Sequence, residues 1–173
     1  MITKGMVQVF TGEGRGKTSA AMGTVMRAVG YGLKVLVVFF MKGSRKQGEY
    51  EALDLLGVEH KNYGRAGLLS PKNIRAEDRL KARQLLQFAQ QAVCSGDYDL
   101  IVLDEANTAA AWALIPTDEL LDLIRHKPEN TELIITGRYA DEKIIEAADL
   151  VSDLRNVKHP FDRGLPARKG LDY

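Results

Sequence analysis

The chain has 173 residues, 45% of them apolar and 27% charged, which is enough for one substantial core and is read as one domain spanning 1–173. A formal net charge of +1 gives no bulk electrostatic reason to expect nucleic acid or an anionic membrane as a partner. A single cysteine, Cys94, excludes an internal disulfide and fits a reducing cytoplasm; it lies along an apolar helical stripe and is expected in the core. No signal-peptide core precedes the first apolar run, and no run is long enough to cross a membrane.

Residues 6–10, Met-Val-Gln-Val-Phe, form the first predicted strand, and residues 20–28 lie in the first helix. Between them runs Thr11-Gly12-Glu13-Gly14-Arg15-Gly16-Lys17-Thr18-Ser19. A Gly-rich turn ending in Gly-Lys-Thr between a strand and a helix is the context of a phosphate-binding loop. Glycines let backbone N–H groups face inward, and the helix start adds unpaired N–H groups and the positive end of its dipole. Lys17 adds a point charge, and the Thr18 hydroxyl is suited to a Mg²⁺ that also touches phosphate oxygens. Thr11 stands where the common pattern G-x-x-x-x-G-K-[ST] has its first glycine.

Lys34–Phe40 is a continuous β-rich run, predicted to be a strand buried on both faces. Residues 49–56 form a short helix, residues 58–63 a weaker strand, and residues 64–73 an irregular stretch. Residues 74–93 are the longest helix, with Ala82, Leu85, Leu86, Ala89 and Val93 as its apolar stripe. The apolar strand Leu100–Leu103 ends in Asp104-Glu105. Helices follow at 106–114 and 118–126, the second with Thr117 as its expected N-cap. A strand at 132–136 leads to Gly137-Arg138, then a helix at 141–148 and a strand-like segment at 150–157. The tail, 158–173, is rich in Gly, Pro and cations and is expected to be ordered.

Strands alternating with helices predict an α/β fold, a mostly parallel sheet with helices on both faces. Ligands of such sheets bind beyond the carboxyl ends of the strands. The phosphate loop, Met41-Lys42-Gly43, Asp104-Glu105 and Thr136-Gly137-Arg138 are all expected there. Asp104, ending an apolar strand downstream of the loop, has the Walker B placement of a metal-holding carboxylate, with Glu105 as a second metal contact or water-orienting acid. Lys17, Thr18 and Asp104 are thus the candidate catalytic residues, and Thr18, Asp104 and Glu105 the candidate ligands of Mg²⁺ or Mn²⁺. The cofactor-binding candidates are residues 11–19, Arg27, Arg138 and His159, although Arg27 by spacing alone is a surface or ion-paired arginine.

Several blocks resemble the P-loop ATP:corrinoid adenosyltransferases. Residues 9–21 are similar to their T-G-x-G-K-G-K-T-[ST]-A-A loop, and Arg27-Ala28-Val29-Gly30-Tyr31-Gly32 to their R-A-x-G-x-G turn. Val102-Leu103-Asp104-Glu105 and Ile135-Thr136-Gly137-Arg138 follow in the same order. The most specific block is Val157-Lys158-His159-Pro160-Phe161-Asp162-Arg163-Gly164 with Lys169-Gly170, which general P-loop proteins lack. The resemblance covers nearly the whole chain and accounts for Thr11.

It implies a RecA-like P-loop fold, a homodimer, and transfer of the 5′-deoxyadenosyl group of ATP to the cobalt of a reduced corrinoid, with triphosphate released. A flavoprotein reductant is the implied electron source. Neither nucleic acid nor a membrane is among the implied partners. The alternatives are a RecA-like ATPase or small-molecule kinase acting at the γ-phosphate, and a nucleotide-dependent corrinoid carrier. Relatives have a Phe and a Trp ahead of the long helix, associated with displacing the corrinoid's lower ligand; here those positions fall on Leu68 and Ser70. The substitution predicts better use of cobinamide than of cobalamin from the Co(II) state.

Overall fold

Alternating apolar side chains on short β-rich runs leave a strand two faces to bury, and the chain meets that demand with helices on both sides of one sheet. The structure, a computed structural model, describes residues 2–43, 47–63 and 69–172. These form six parallel strands: β1 (Val7–Thr11), β2 (Val35–Phe40), β3 (Glu59–Tyr63), β4 (Leu100–Asp104), β5 (Glu132–Thr136) and β6 (Leu150–Asp153). The spatial order is β3-β2-β4-β5-β1-β6. The helices are α1 (Lys17–Gly30), α2 (Gly48–Leu55), α3 (Ala76–Ser95), α4 (Ala106–Ala111), α5 (Thr117–Arg125) and α6 (Glu142–Ala147).

The period-two alternation of β2 sorts its residues between two cores. Val35, Val37 and Phe39 join Val102 and Ile134 beneath Ala21, Val25 and Ala28 of α1 and Leu53 of α2. Leu36, Val38 and Phe40 join Leu103 and Ile135 beneath Leu85, Leu86 and Ala89 of α3 and Leu120 and Leu121 of α5. Each such aliphatic or aromatic side chain, fully buried, stabilises the fold by about 1.5–3 kcal/mol before entropy is counted. The result is the three-layer, RecA-like α/β arrangement expected, with every strand pair parallel.

Register delivers the candidate site. Phe39 of β2 lies opposite Asp104 of β4, and Phe10 of β1 opposite Thr136 of β5, so the loops after four neighbouring strands open at one end of the sheet. Two of them turn without glycine: Met41 directly after β2 has φ 63°, and Glu105 directly after β4 has φ 61°. Left-handed backbone at such residues costs of order 1–3 kcal/mol and is held by its surroundings.

Some details differ from expectation. Cys94 is exposed, because the stripe of α3 runs through Ala89, Ala92 and Val93 and the next residue is turned off it. Thr117 is the first residue of α5 and not its cap; Pro116 holds the cap position and gives no side-chain bond. The long helix starts at Ala76, where Asp78 accepts from the Arg75 N–H at 2.8 Å. The last strand stops at Asp153, since the chain there leaves the sheet edge to pack on the phosphate loop. Of the two positions aligned with the relatives' aromatics, Leu68 lies outside the described residues. Ser70 precedes the 3-10 turn Pro71–Asn73 and donates its N–H to Asn73 Oδ1 at 2.9 Å.

Two glycines separate packing from propensity. A Cβ on Gly14 would lie 2.5 Å from Leu154 O and 2.6 Å from Arg155 O, both backbone atoms, whereas a Cβ on Gly23, inside α1, meets nothing within 4 Å. Gly23→Ala is therefore expected to raise stability by about 0.5–1 kcal/mol. Gly14→Ala is expected to lower it by about 1–3 kcal/mol and to weaken nucleotide binding. Urea denaturation of the two variants checks the opposite signs.

Candidate active site

The phosphate loop is built by three neighbours. Gly16 carries φ 115° as the residue before α1, a turn that a side chain resists. The strand-like segment after β6 then clamps the loop: Leu154 N–H donates to Thr11 O at 2.9 Å, and Gly14 N–H donates to Leu154 O at 2.6 Å. The Thr11 hydroxyl accepts from Ala140 N–H at 3.3 Å, tying the loop to the turn after β5. A glycine at position 11 would lack that tie.

Lys17 is buried and curled into the loop, its Nζ donating to Gly12 O at 2.7 Å and Gly14 O at 2.6 Å. Burial, and then the Arg138 guanidinium, hold its pKa below the ordinary lysine value, while Glu105, Glu13 and Asp104 oppose them. The Thr18 hydroxyl points to the other side of the site, where Lys42 Nζ donates to it at 3.2 Å. Ser19 is exposed in the first turn of α1.

Asp104 is fully buried, and its two oxygens have separate partners. Thr136 Oγ1 donates to Oδ1 at 2.7 Å, and the Lys42 ammonium sits 2.7 Å from Oδ2 as an ion pair. Burial works to lower the Lys42 pKa, but the Asp104 carboxylate outweighs it, with Glu49 and Glu105 adding to the effect, so the value lies above the ordinary one. A relay of hydroxyls fixes the surroundings. Thr136 Oγ1 accepts from Glu105 N–H at 3.0 Å, Thr108 Oγ1 donates to Glu105 Oε2 at 2.6 Å, and Thr108 Oγ1 accepts from Arg138 N–H at 2.8 Å. Arg138 in turn pairs with Glu13 of the loop at 3.2 Å.

The tail returns to the loop. Arg15 pairs with Asp172 at 2.9 Å and donates to Leu171 O, and Arg168 pairs with Asp172 at 3.0 Å. Tail residues Val157, Phe161 and Leu165 are exposed, so apolar burial is not what seats it.

Residues 11–18, Asp104, Glu105 and Arg138 are thus gathered at one end of the sheet. Arg27 is not. Arg27 lies in the last turn of α1, about 15 Å along the helix from Lys17 at 1.5 Å per residue. It lines a hollow with Ile2, Thr24 and Leu33 at the far end of the sheet. His159 caps a 3-10 turn of the tail, Nδ1 accepting from Phe161 N–H at 3.1 Å. Thr108 and Glu49 were not legible in the sequence, and neither Lys42 nor Thr136 had an assigned role there. Their one sequence signal is position, directly after or at the end of a buried strand.

A phosphate loop after β1, a buried acid at the end of β4 and β5 between them define a P-loop nucleotide-binding protein of the RecA-like kind. The sequence also matches, over residues 3–173, the family described as ATP:corrinoid adenosyltransferase BtuR/CobO/CobP. A corrinoid adenosyltransferase of Escherichia coli K12 is 40% identical over 170 residues, covering 98% of this chain and 86% of that protein. The corrinoid adenosyltransferase CobA of Salmonella typhimurium is 38% identical over 98% of this chain and 86% of its own length. A corrinoid adenosyltransferase of Pseudomonas aeruginosa is 37% identical over 98% of this chain and 84% of its own length. The chain belongs to the ATP:corrinoid adenosyltransferase family and is an enzyme of adenosyl transfer from ATP to a corrinoid. No helix among the described residues is long and apolar enough to cross a membrane.

Thr136→Val removes the donor to Asp104 Oδ1 and the acceptor of Glu105 N–H while keeping the side-chain shape. It is expected to cost about 1–3 kcal/mol in a denaturation experiment and to lower turnover with the fold retained.

The tail contact has its own signature. The Arg168 side-chain and backbone hydrogen bonds hold the Asp172 carboxyl at about 2, with Arg15 adding a smaller effect. Its folded value lies below the usual carboxylate value, so its contribution is present above that value and fades as pH falls through about 2. An NMR titration should show this midpoint, and Arg168→Ala should raise it more than Arg15→Ala does.

Proposed function

We propose that the enzyme joins the C5′ carbon of ATP to the cobalt of a Co(I) corrinoid and releases intact triphosphate. The metal cobalt here is part of the substrate. Its electron pair attacks C5′, the cobalt–carbon bond forms, the C5′–O bond breaks, and the leaving oxygen takes the bond pair into triphosphate. Because Co(I) is itself a strong nucleophile, the protein needs no general base; its task is to bind, orient and stabilise the leaving group.

One observation carries the assignment of roles. Asp104 Oδ2 and Thr18 Oγ1 converge on a single cation, the Lys42 ammonium, at 2.7 and 3.2 Å. These donors suit a hard divalent cation, which takes oxygen ligands. Thr18 and Asp104 would hold Mg²⁺ or Mn²⁺, whose charge would offset that of the departing triphosphate. Glu105 is the third acid of this set, oriented by Thr108. Lys17 leaves its two loop carbonyls for the phosphates, and Arg138 leaves Glu13 for them. Lys17, Thr18 and Asp104 are the catalytic residues on this reading, with residues 11–19 and Arg138 binding the nucleotide.

The tail supplies the corrinoid side. Its exposed Phe161 and Leu165 and its cations suit a broad apolar macrocycle bearing polar side groups, and Arg15–Asp172 seats it beside the phosphate loop. His159 belongs to this tail. The reading extends to one domain over the whole chain, a homodimer, a cytoplasmic location and a flavoprotein that delivers the cobalt as Co(I).

Anaerobic incubation with ATP and chemically reduced cobalamin tests it, with the corrinoid spectrum and the phosphate products followed together. One triphosphate is expected per adenosylated corrinoid. ADP and inorganic phosphate formed in step with turnover would instead place cleavage at the γ-phosphate. Lys17→Ala should slow the reaction roughly 10²–10³-fold, the usual effect of losing one preorganised donor at a developing anion.

A further inference from the structure

We infer that Lys42 is a resident counter-cation: in the nucleotide-free protein its ammonium holds the position between Asp104 and Thr18, and on loading it yields that position to the divalent cation and moves onto the polyphosphate. This rests on the metal reading of Thr18 and Asp104 given above.

The geometry is that of an occupied cation site. Lys42 Nζ lies 2.7 Å from Asp104 Oδ2, 3.2 Å from Thr18 Oγ1 and 3.7 Å from Glu49 Oε1. Among the described residues, Asp104 Oδ2 has no hydrogen-bond donor besides this ion pair, because Thr136 is engaged with the other oxygen. A carboxylate fully removed from water needs a positive partner, and among the described residues Lys42 is the one in contact. The left-handed turn at Met41 places Lys42 directly beyond the end of β2, so its ammonium reaches across the short gap between β2 and β4. The Phe39 ring, 5.3 Å from Nζ, and the Tyr50 hydroxyl on Lys42 O at 3.3 Å keep this anchor in place.

Two cations cannot share Asp104 Oδ2 at such distances without strong repulsion. A metal ion that binds there must displace the ammonium, which is still largely shielded from water and needs another anion. Glu49 is the first available: its Oε1 is already near, and its Oε2 is buried with no hydrogen-bond partner among the described residues. Glu49 alone gives only a way station, because burial leaves its charge serving one lysine and no phosphate. The polyphosphate supplies the missing anion, close to the metal by necessity. Metal and polyphosphate are therefore coupled through Lys42: the free protein resists a metal ion, and the loaded one gains a second lysine, beside Lys17, on the leaving group.

The test measures Mn²⁺ binding by the EPR signal of free Mn²⁺, on the full chain, with inorganic tripolyphosphate as the anion. Without tripolyphosphate, the natural protein should bind Mn²⁺ only at millimolar concentrations or above. Lys42→Met, neutral and of similar length, should bind Mn²⁺ alone at least tenfold more tightly and should bind Mn²⁺–tripolyphosphate at least tenfold more weakly. Lys42→Gln, whose amide still donates to Asp104, serves if the methionine variant does not fold, and thermal melts establish which variants do. Unchanged Mn²⁺ affinity in a folded variant would overturn the inference, as would micromolar Mn²⁺ binding by the natural protein alone. In either case, Mn²⁺–tripolyphosphate binding would leave the metal site standing. Failure of every protein to bind Mn²⁺–tripolyphosphate would overturn both readings.

Discussion

A carboxylate buried beyond reach of water, at the end of a strand, is the constraint around which the active end of this protein is arranged. Asp104 has no exposed surface, so its charge must be met by protein groups. Thr136 comes from the strand beside it, and Lys42 from the turn just beyond the strand on its other side. Thr18 is brought by α1, and the Thr136 hydroxyl that holds Asp104 also fixes the Glu105 backbone. From there the relay runs through Thr108 and Arg138 to Glu13 in the phosphate loop. The links come from several elements, which makes the site a property of the whole sheet end and of no single motif.

The sheet had to be parallel for this to work. Parallel strands place all their carboxyl ends together, and the apolar cores on both faces keep those ends in register. The cost is local: Met41 and Glu105 adopt left-handed backbone where a glycine would be easier. In return the residue after each strand is thrown sharply toward the ligand end.

What the sequence disclosed followed from short spacing. Lys17 and Thr18 lie within one motif, the β2 run is apolar without interruption, and Asp104 ends the β4 run, so loop, buried strand and acid were each legible alone. The tail block from Val157 to Gly170 made the family legible as well. Partnerships between elements were not. Nothing in the order of residues says that Lys42 meets Asp104, that Thr108 orients Glu105, or that Arg15 meets Asp172, since each depends on strand order and register. Local errors had local causes: Cys94 lies one residue past the stripe it was assigned to, and Thr117 entered its helix where Pro116 took the cap. The motif groups Arg27 with the phosphate loop, whereas helix rise carries it away from that loop.

The strand order also bears on when the enzyme becomes competent as it is made. Of the strands β1 is made first, yet its neighbours in the sheet are β5 and β6, and the loop that follows it is clamped by Leu154. The central pair β2 and β4, with α1 and α3, has its partners earlier in synthesis. A nascent chain that has reached α5 can thus assemble much of both cores while residues 11–16 remain without the groups that shape them. The backbone clamp on the phosphate loop is therefore the part of the sheet end completed latest, when Leu154 arrives beside Thr11 and Gly14.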